Sequence, residues 1–427
     1  MMRQLYSLLM WLLQPALRRK LARRALQEPG YLDAVEERFG CYSEATATTE
    51  GKTVWLHAVS LGETRAAASL VAELRKRLPG MRLLLTHGTA TGRAEGAKLL
   101  RPGDCQTWQP WDTPAAVARF LAHFRPCLGI LMETEIWPNL AVGCARAGVP
   151  LVLANARLSE KSWRQARRLA WLARPAYASL TAVWAQTQDD ARRLASMGAR
   201  VQGVFGNLKF DATPDAAQLA EGRAWHARLA RPVVMFASSR EGEEEALLRL
   251  LAAEPAALTA HWLIVPRHPQ RFDAVVALVQ AQGLALSRRS LWQDGPPAGD
   301  ASGCIWLGDS LGEMALYYGL ADVALLGGSF GPLGGQNLIE AAACACPVLM
   351  GPHTFNFTEA AELAQTAGAA LRVTDLAQGL ESALALVQDR PRLQAARHAA
   401  DVFAGAHRGA TGRTVEAIAQ LLGSGVS

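Results

Sequence analysis

Carboxylates in this 427-residue chain stand where apolar runs end. In His57-Ala58-Val59-Ser60-Leu61-Gly62-Glu63-Thr64 a buried-strand pattern gives way to a glycine turn and a helix start. Glu63 there can complement the positive end of the helix or act as general base on an acceptor hydroxyl. Met132-Glu133-Thr134-Glu135-Ile136-Trp137-Pro138-Asn139 repeats the pattern with two carboxylates two residues apart. Val265-Pro266-Arg267-His268-Pro269 brackets a cationic pair between prolines, which suits anion recognition because a guanidinium offers a planar fork to phosphate oxygens. A solvated strand end is the other reading of that pair.

Glycines mark two further turns. Gly327-Gly328-Ser329, then Gly334-Gly335-Gln336-Asn337-Leu338-Ile339-Glu340, lets backbone amides approach a phosphate ahead of a helix starting near Asn337. Glu340 can accept from ribose hydroxyls or join Asn337 in a cap. Gly308-Asp309-Ser310-Leu311-Gly312-Glu313-Met314 is a second strand-to-helix turn with amide donors. Neither G-x-G-x-x-G nor the Walker pattern occurs, which removes the best evidence for a dinucleotide oxidoreductase or a phosphate-loop ATPase. Seven scattered cysteines without a C-x-x-C pair make neither a zinc site nor a disulfide framework, and no other ligand pattern calls for a metal or cofactor.

The elements that must carry these turns are short, unalternating apolar runs, the mark of parallel strands buried on both faces. One series runs through 54–59, 83–86, 128–132, 151–154 and 182–185. It halts at Gly206-Asn207-Leu208-Lys209-Phe210-Asp211-Ala212-Thr213-Pro214, and a second series follows at 233–237, 262–265, 305–307, 323–326 and 348–350. The expected fold is α/β, with two Rossmann-like doubly wound domains and a ligand cleft between them, 31–208 and 209–427, behind an N-terminal segment 1–30. Residues 294–303, rich in Pro and Gly, read as a surface loop.

Half the residues are apolar and 19% charged, so a sizeable core can form. The net charge of +6 is uneven: Arg3, Arg18, Arg19, Lys20, Arg23 and Arg24 face only Glu28 within the first thirty residues, leaving the remainder close to neutral. A nucleic-acid partner is therefore not expected. Leu5 to Leu17 is apolar and directly followed by the basic run. As a helix it would be ~20 Å long against a hydrocarbon core of ~30 Å. The expectation is a helix lying in the membrane interface with its arginines on anionic headgroups on the cytoplasmic side; an amphipathic helix packed on the protein's own surface is the alternative.

In order along the chain, HAVSLGE at 57–63, METEIWPN at 132–139, NARLS at 155–159, GNLKFD at 206–211, PRHPQRF at 266–272, GDSLGEM at 308–314, GGQNLIE at 334–340 and GPHTFNF at 351–357 resemble the 3-deoxy-D-manno-octulosonic acid (Kdo) transferases of Gram-negative bacteria. The resemblance implies a GT-B glycosyltransferase with acceptor on the first domain and sugar nucleotide on the second. It implies inverting, metal-independent transfer of Kdo from CMP-Kdo to a lipid A precursor at the cytoplasmic side of the inner membrane, in lipopolysaccharide synthesis. Position by position, Glu63 takes the place of the general base, and Glu133 and Lys209 those of transition-state stabilisers. Arg267, His268, Gly312, Glu313, Met314, Asn337, Leu338, Ile339 and Glu340 align with nucleotide contacts, with Ser238 near them. Where relatives commonly read Ser-Thr-His this chain has Ser238-Ser239-Arg240, and where they read Gly-Gly-His-Asn it has Gln336 before Asn337. A GT-B transferase using another sugar nucleotide and a catalytically silent membrane scaffold are the alternatives.

Overall fold

The computed structural model describes residues 2–42, 51–211, 213–297 and 303–423. Two compact units divide it, Met1–Asp211 with Arg408–Ser427, and Ala212–His407.

The first unit is built on a parallel sheet of β1 (Thr53–His57), β2 (Arg82–His87), β3 (Cys105–Trp108), β4 (Leu128–Met132), β5 (Leu151–Ala156), β6 (Ala182–Ala185) and β7 (Val201–Val204), in the order β3-β2-β1-β4-β5-β6-β7. Val54, Trp55, Leu56, Ile130 and Leu153 are fully buried, the expected result for strands covered by crossover helices on both faces. Four of the crossovers begin with the residue type that best satisfies a helix's orphan amides: Ser60, Thr89, Thr113 and Thr187 accept from the amide three residues on. The order reverses between β1 and β4, so the turns after these neighbouring strands share the carboxyl edge where doubly wound sheets bind ligands.

The second unit repeats the plan with β8 (Val233–Ser239), β9 (His261–Pro266), β10 (Ala285–Arg288), β11 (Cys304–Leu307), β12 (Val323–Leu326), β13 (Val348–Met350) and β14 (Ala370–Arg372), ordered β10-β11-β9-β8-β12-β13-β14 and parallel throughout. Its reversal lies between β8 and β12. The loop expected at 294–303 falls partly outside the described residues.

One boundary differs from the sequence division. The chain's last described helix, Ala410–Gly423, packs on Leu61–Arg77 and buries Ala410, Val415 and Ile418 with Val54 and Leu56 of the first unit. Asp211 at the end of GNLKFD accepts from the amides of Gly409 and Thr411 and so caps this helix. Running the second domain to 427 misses this return because an amphipathic helix says which face is buried, not against which domain.

The N-terminal apolar stretch forms two helices, Met2–Leu12 and Gln14–Ala25, with Pro15 at the start of the second. The first docks by its polar side: Tyr6 Oη donates to Asp112 Oδ2 at 2.9 Å and Ser7 Oγ to Asn139 Oδ1 at 3.0 Å. Its apolar side, Leu5, Leu8, Leu9 and Leu12 at helical spacing with Trp11, stays exposed, Leu5 at 60% and Trp11 at 62%. The second helix is held by Leu21 and Ala25, which bury against Tyr31. No helix among the described residues is long and apolar enough to cross a membrane.

Candidate active site

In the first unit three of the expected site residues come together beyond the carboxyl edge. Glu63 is the third residue of the helix capped by Ser60 and closes a capping box: its amide donates to Ser60 Oγ at 3.4 Å, and its carboxylate accepts from Ser60 Oγ at 3.1 Å and from the Val59 amide at 2.9 Å. That explains why Ser-x-x-Glu stands here: of the two roles left open by the sequence, these hydrogen bonds show the one at the helix start. Half-buried, Glu63 has its pKa pushed up to about 7, first by burial, then by the negative charges of Glu133 and Glu135, against the opposing hydrogen bonds from Val59 and Ser60. A carboxyl with that pKa is suited to take a proton near neutrality.

Glu133 follows β4 directly and adopts the left-handed region with φ 56°, uncommon for a residue with a side chain. The strain turns the chain sharply. Its amide donates to Ala154 O at 3.1 Å and its carbonyl accepts from the Arg157 amide at 3.1 Å. Its Oε1 lies 3.3 Å from Lys209 Nζ. The second carboxylate of the motif, Glu135, is tied down by Trp137 Nε1 at 2.8 Å, a structural arrangement that burial accompanies by raising its pKa.

Lys209 reaches Glu133 because two buried amides hold its loop. Asn155, at φ 52° in β5, accepts the Leu208 amide on Oδ1 at 3.0 Å, and its carbonyl accepts from Gln186 Nε2 at 2.9 Å. Asn207 Nδ2 in turn donates to Gln186 Oε1 at 3.2 Å, and the Lys209 amide donates to Asn207 Oδ1 at 3.0 Å. These positioning residues were missed by sequence reasoning. Asn155 carried a signal, since asparagine is enriched where a side-chain-bearing residue must take positive φ; Gln186 carried none.

His57 and His87, though at strand ends, are not part of the chemistry. Both are buried, His57 Nδ1 contacting Thr86 Oγ1 at 2.9 Å and His87 Nδ1 the Ala58 carbonyl at 3.0 Å. Burial pushes their pKa values down to about 3 and about 4, which keeps both rings neutral.

In the second unit, Gly312, Met314 and Glu340 line one cavity of about 310 Å³ together with Pro214, Gln218 and Tyr318. Gly312 has φ 81°, the turn that only glycine adopts freely, and Gln218 Nε2 donates to its carbonyl at 3.0 Å. Glu313 beside it is committed to Arg289, 2.8 Å away, and to Ser310. Asn337 and Glu340 form the cap the sequence offered, Asn337 accepting the Ile339 amide at 3.1 Å and donating to Glu340 Oε1 at 3.0 Å. Leu338 and Ile339 are buried in the core, so only their backbone is offered to a ligand.

Around the reversal between β8 and β12 stand the remaining residues. Ser238 has φ 53° where the register with β9 shifts. The Arg267 amide donates to Ser239 O at 3.0 Å and its Nε to Gln336 Oε1 at 3.1 Å. His268 is held below its usual pKa by burial and by Arg240 and Arg267. Among the described residues no group of three or more His, Cys, Asp or Glu is placed to hold a metal ion.

The family model of the 3-deoxy-D-manno-octulosonic acid transferases (kdotransferases) matches residues 33–212. The 3-deoxy-D-manno-octulosonic acid transferase of Bordetella pertussis is 46% identical over 432 residues, 99% of this chain and 100% of that one. The chain belongs to the Kdo transferase family. It is a glycosyltransferase, and the identity runs through both units. Solved structures share the GT-B-like fold at lower identity. UDP-GlcNAc 2-epimerase from Neisseria meningitidis, bound to UDP-GlcNAc, is 15% identical with a TM-score of 0.54, covering 86% of this chain and 100% of that one. A glycosyltransferase from Rickettsia africae is 12% identical with a TM-score of 0.53, covering 89% and 100%. Within the Kdo transferase, Glu63, Glu133 and Lys209 form one cluster, and the expected nucleotide contacts fall at two places in the second unit, the Gly312 cavity and the β8–β12 reversal.

Proposed function

We propose that this Kdo transferase moves Kdo from CMP-Kdo to a hydroxyl of a lipid A precursor in lipopolysaccharide synthesis, with inversion and with Glu63 as general base. The observation that carries the assignment is the Glu63 carboxyl, fixed by Val59 and Ser60 at the carboxyl edge with its pKa raised to about 7. In the step, Glu63 takes the acceptor O–H proton, the freed oxygen bonds to the anomeric carbon, and the bond from that carbon to the phosphate oxygen breaks as CMP leaves. Lys209, oriented by Glu133, supplies a cation for the charge developing on the departing phosphate. Gly312, Met314 and Glu340, with Arg267 and His268, are the donor contacts in this reading.

The reaction takes place at the cytoplasmic side of the inner membrane. The exposed face of Leu5, Leu8, Leu9, Trp11 and Leu12, followed by Arg18, Arg19, Lys20 and Arg23, supports a helix lying in the interface. Leu169 and Trp171, exposed on a helix packed against Met2–Leu12, widen that surface.

A transfer assay with CMP-Kdo and a lipid A precursor, read by mass spectrometry, tests the activity: Glu63→Gln should lose transfer while still binding CMP. Near-normal turnover in that variant removes Glu63 from the mechanism. Thermal shifts with CMP against UDP and GDP test the donor, and CMP should stabilise most. Vesicle co-sedimentation of the full chain and of a variant lacking residues 1–25, at low and high salt, tests the membrane reading; equal binding by both excludes the helix as anchor.

A further inference from the structure

The amides of the glycine turn in the second unit are occupied from inside the protein. Glu243, buried at the first turn of Glu243–Ala253, accepts from the amides of Gly328 at 2.8 Å, Arg240 at 3.0 Å, Phe330 at 3.2 Å and Gly331 at 3.4 Å. The Gly327 amide donates to Ala237 O at 2.8 Å, and those of Gly335 and Gln336 to the carbonyls of Gly328 and Gly327 at 2.8 and 3.1 Å. A ligand anion arriving at this turn finds these donors spent, so side chains must meet its charge.

Arg240 is the side chain placed to do so. It leaves the carboxyl end of β8 beside the reversal, is half-buried, and makes no ion pair with a carboxylate among the described residues. Its stem runs along the turn: a Cβ added at Gly328 would stand 3.7 Å from Arg240 Cγ and 3.1 Å from Gln336 Nε2. Gln336 in turn holds Arg267 Nε at 3.1 Å. Two guanidiniums and the His268 ring thus share one corner, close enough that both arginines disfavour protonation of the imidazole. The carboxylate closest in the hydrogen-bond network, Glu243, is turned inward onto amides. The corner gathers positive charge, and within it Arg240 is the guanidinium with no carboxylate partner among the described residues.

We propose that Arg240 recognises the donor, its guanidinium binding an anionic group of the sugar nucleotide, either the phosphate or the sugar carboxylate. This rests on the reading that the second unit holds CMP-Kdo. The planar fork fits both oxyanions, and unlike an imidazole it keeps its charge at every physiological pH.

The test uses the full chain. Calorimetric titration with CMP and with cytidine, and steady-state kinetics with CMP-Kdo, are compared for wild type, Arg240→Ala, Arg240→Lys and Arg240→His, with ligand-free thermal unfolding to confirm that each variant is folded. A phosphate contact appears as roughly 10- to 100-fold weaker CMP binding in Arg240→Ala, with cytidine unchanged. A carboxylate contact leaves CMP binding intact and raises KM for CMP-Kdo by a similar factor. Arg240→Lys should recover part of either loss. In Arg240→His, KM for CMP-Kdo should climb between pH 6 and 8 as the imidazole loses its proton near pH ~6.5, a climb that wild type lacks. CMP affinity and KM within twofold of wild type in Arg240→Ala overturn the assignment. If wild type neither binds CMP nor turns over CMP-Kdo, the donor reading falls and this inference with it.

Discussion

Lys209 Nζ stands 3.3 Å from Glu133 Oε1, joining the loop after β7 to the strained residue after β4. The pair is partly buried, so screening is incomplete and each charge fixes the other's direction. Lys209→Ala should lower kcat by roughly 10²–10³, the cost of losing one preorganised charge-stabilising group, with KM for either substrate changed less. Asn155→Ala separates position from charge. It removes the acceptor of the Leu208 amide, and kcat should fall while the lysine is still present. Steady-state kinetics of both variants are the check; a normal kcat in Asn155→Ala would mean the loop holds its shape by packing alone.

The proposed role of Glu63 as general base sets a pH dependence for the reaction. A general base works deprotonated, and burial together with Glu133 and Glu135 raises this carboxyl to about 7. The acid limb of kcat/KM should therefore inflect near neutrality and not near the ordinary carboxylate range of about 4.3. Glu63→Gln should abolish that limb and lower turnover by roughly 10²–10⁴. Glu133→Gln removes a neighbouring negative charge, so in it the inflection should move to lower pH. A pH–rate profile of each variant decides, and an unmoved inflection in Glu133→Gln would deny the coupling.

How much of this was legible follows a physical line. The strands predicted from apolar runs are the interior strands of both sheets. The four strands not predicted, β3, β7, β10 and β14, are the four edges. An edge strand is covered incompletely, and β7 with Val201 and Gly203 half-buried and Gln202 and Val204 exposed shows no continuous apolar run. The same holds at the site. Glu63 and Glu133 stood out as carboxylates where apolar runs end, while Lys209 was singled out only through motif resemblance. The contact of Lys209 with Glu133 and the Asn155–Gln186–Asn207 network were not legible, because contacts across a sheet leave no local pattern. Backbone amides at Gly327 and Gly328 were expected to face a phosphate; Ala237 and Glu243 take them instead, and a glutamate inside a run of three, Glu243-Glu244-Glu245, gives no sign that it is buried.

The two buried histidines set an acid limit on the fold. His57 and His87 have folded pKa values of about 3 and about 4, below the unfolded value of about 6.5, so both contribute stability above pH ~6.5 that is lost as pH falls toward their folded values. Urea midpoints measured from pH 7 down to pH 4 should fall steadily, beginning well above the range where ordinary carboxylates titrate. His57→Gln should flatten the upper part of that fall, since glutamine does not titrate. An identical slope in that variant would place the acid sensitivity elsewhere.

Glu243 is the residue on which the second unit's ligand edge depends. Its carboxylate is 6% exposed and gathers the amides that end β8 and follow β12, so it fixes the turn from which Arg240 leaves the sheet. Burial raises its pKa, and those amide donors oppose the shift. Glu243→Ala strands several buried N–H groups and should destabilise the protein by about 2–4 kcal/mol, less than the sum of single bonds because water can enter the vacated space. Glu243→Gln keeps one acceptor oxygen but turns an NH₂ toward amide donors, so it should recover only part of the loss. Because the turn itself loosens, CMP binding should weaken in Glu243→Gln even where the variant is fully folded. Denaturant midpoints and CMP titrations on the same samples check both effects; full stability with full CMP affinity would show that the amides at the β8–β12 reversal need no internal anion to hold them.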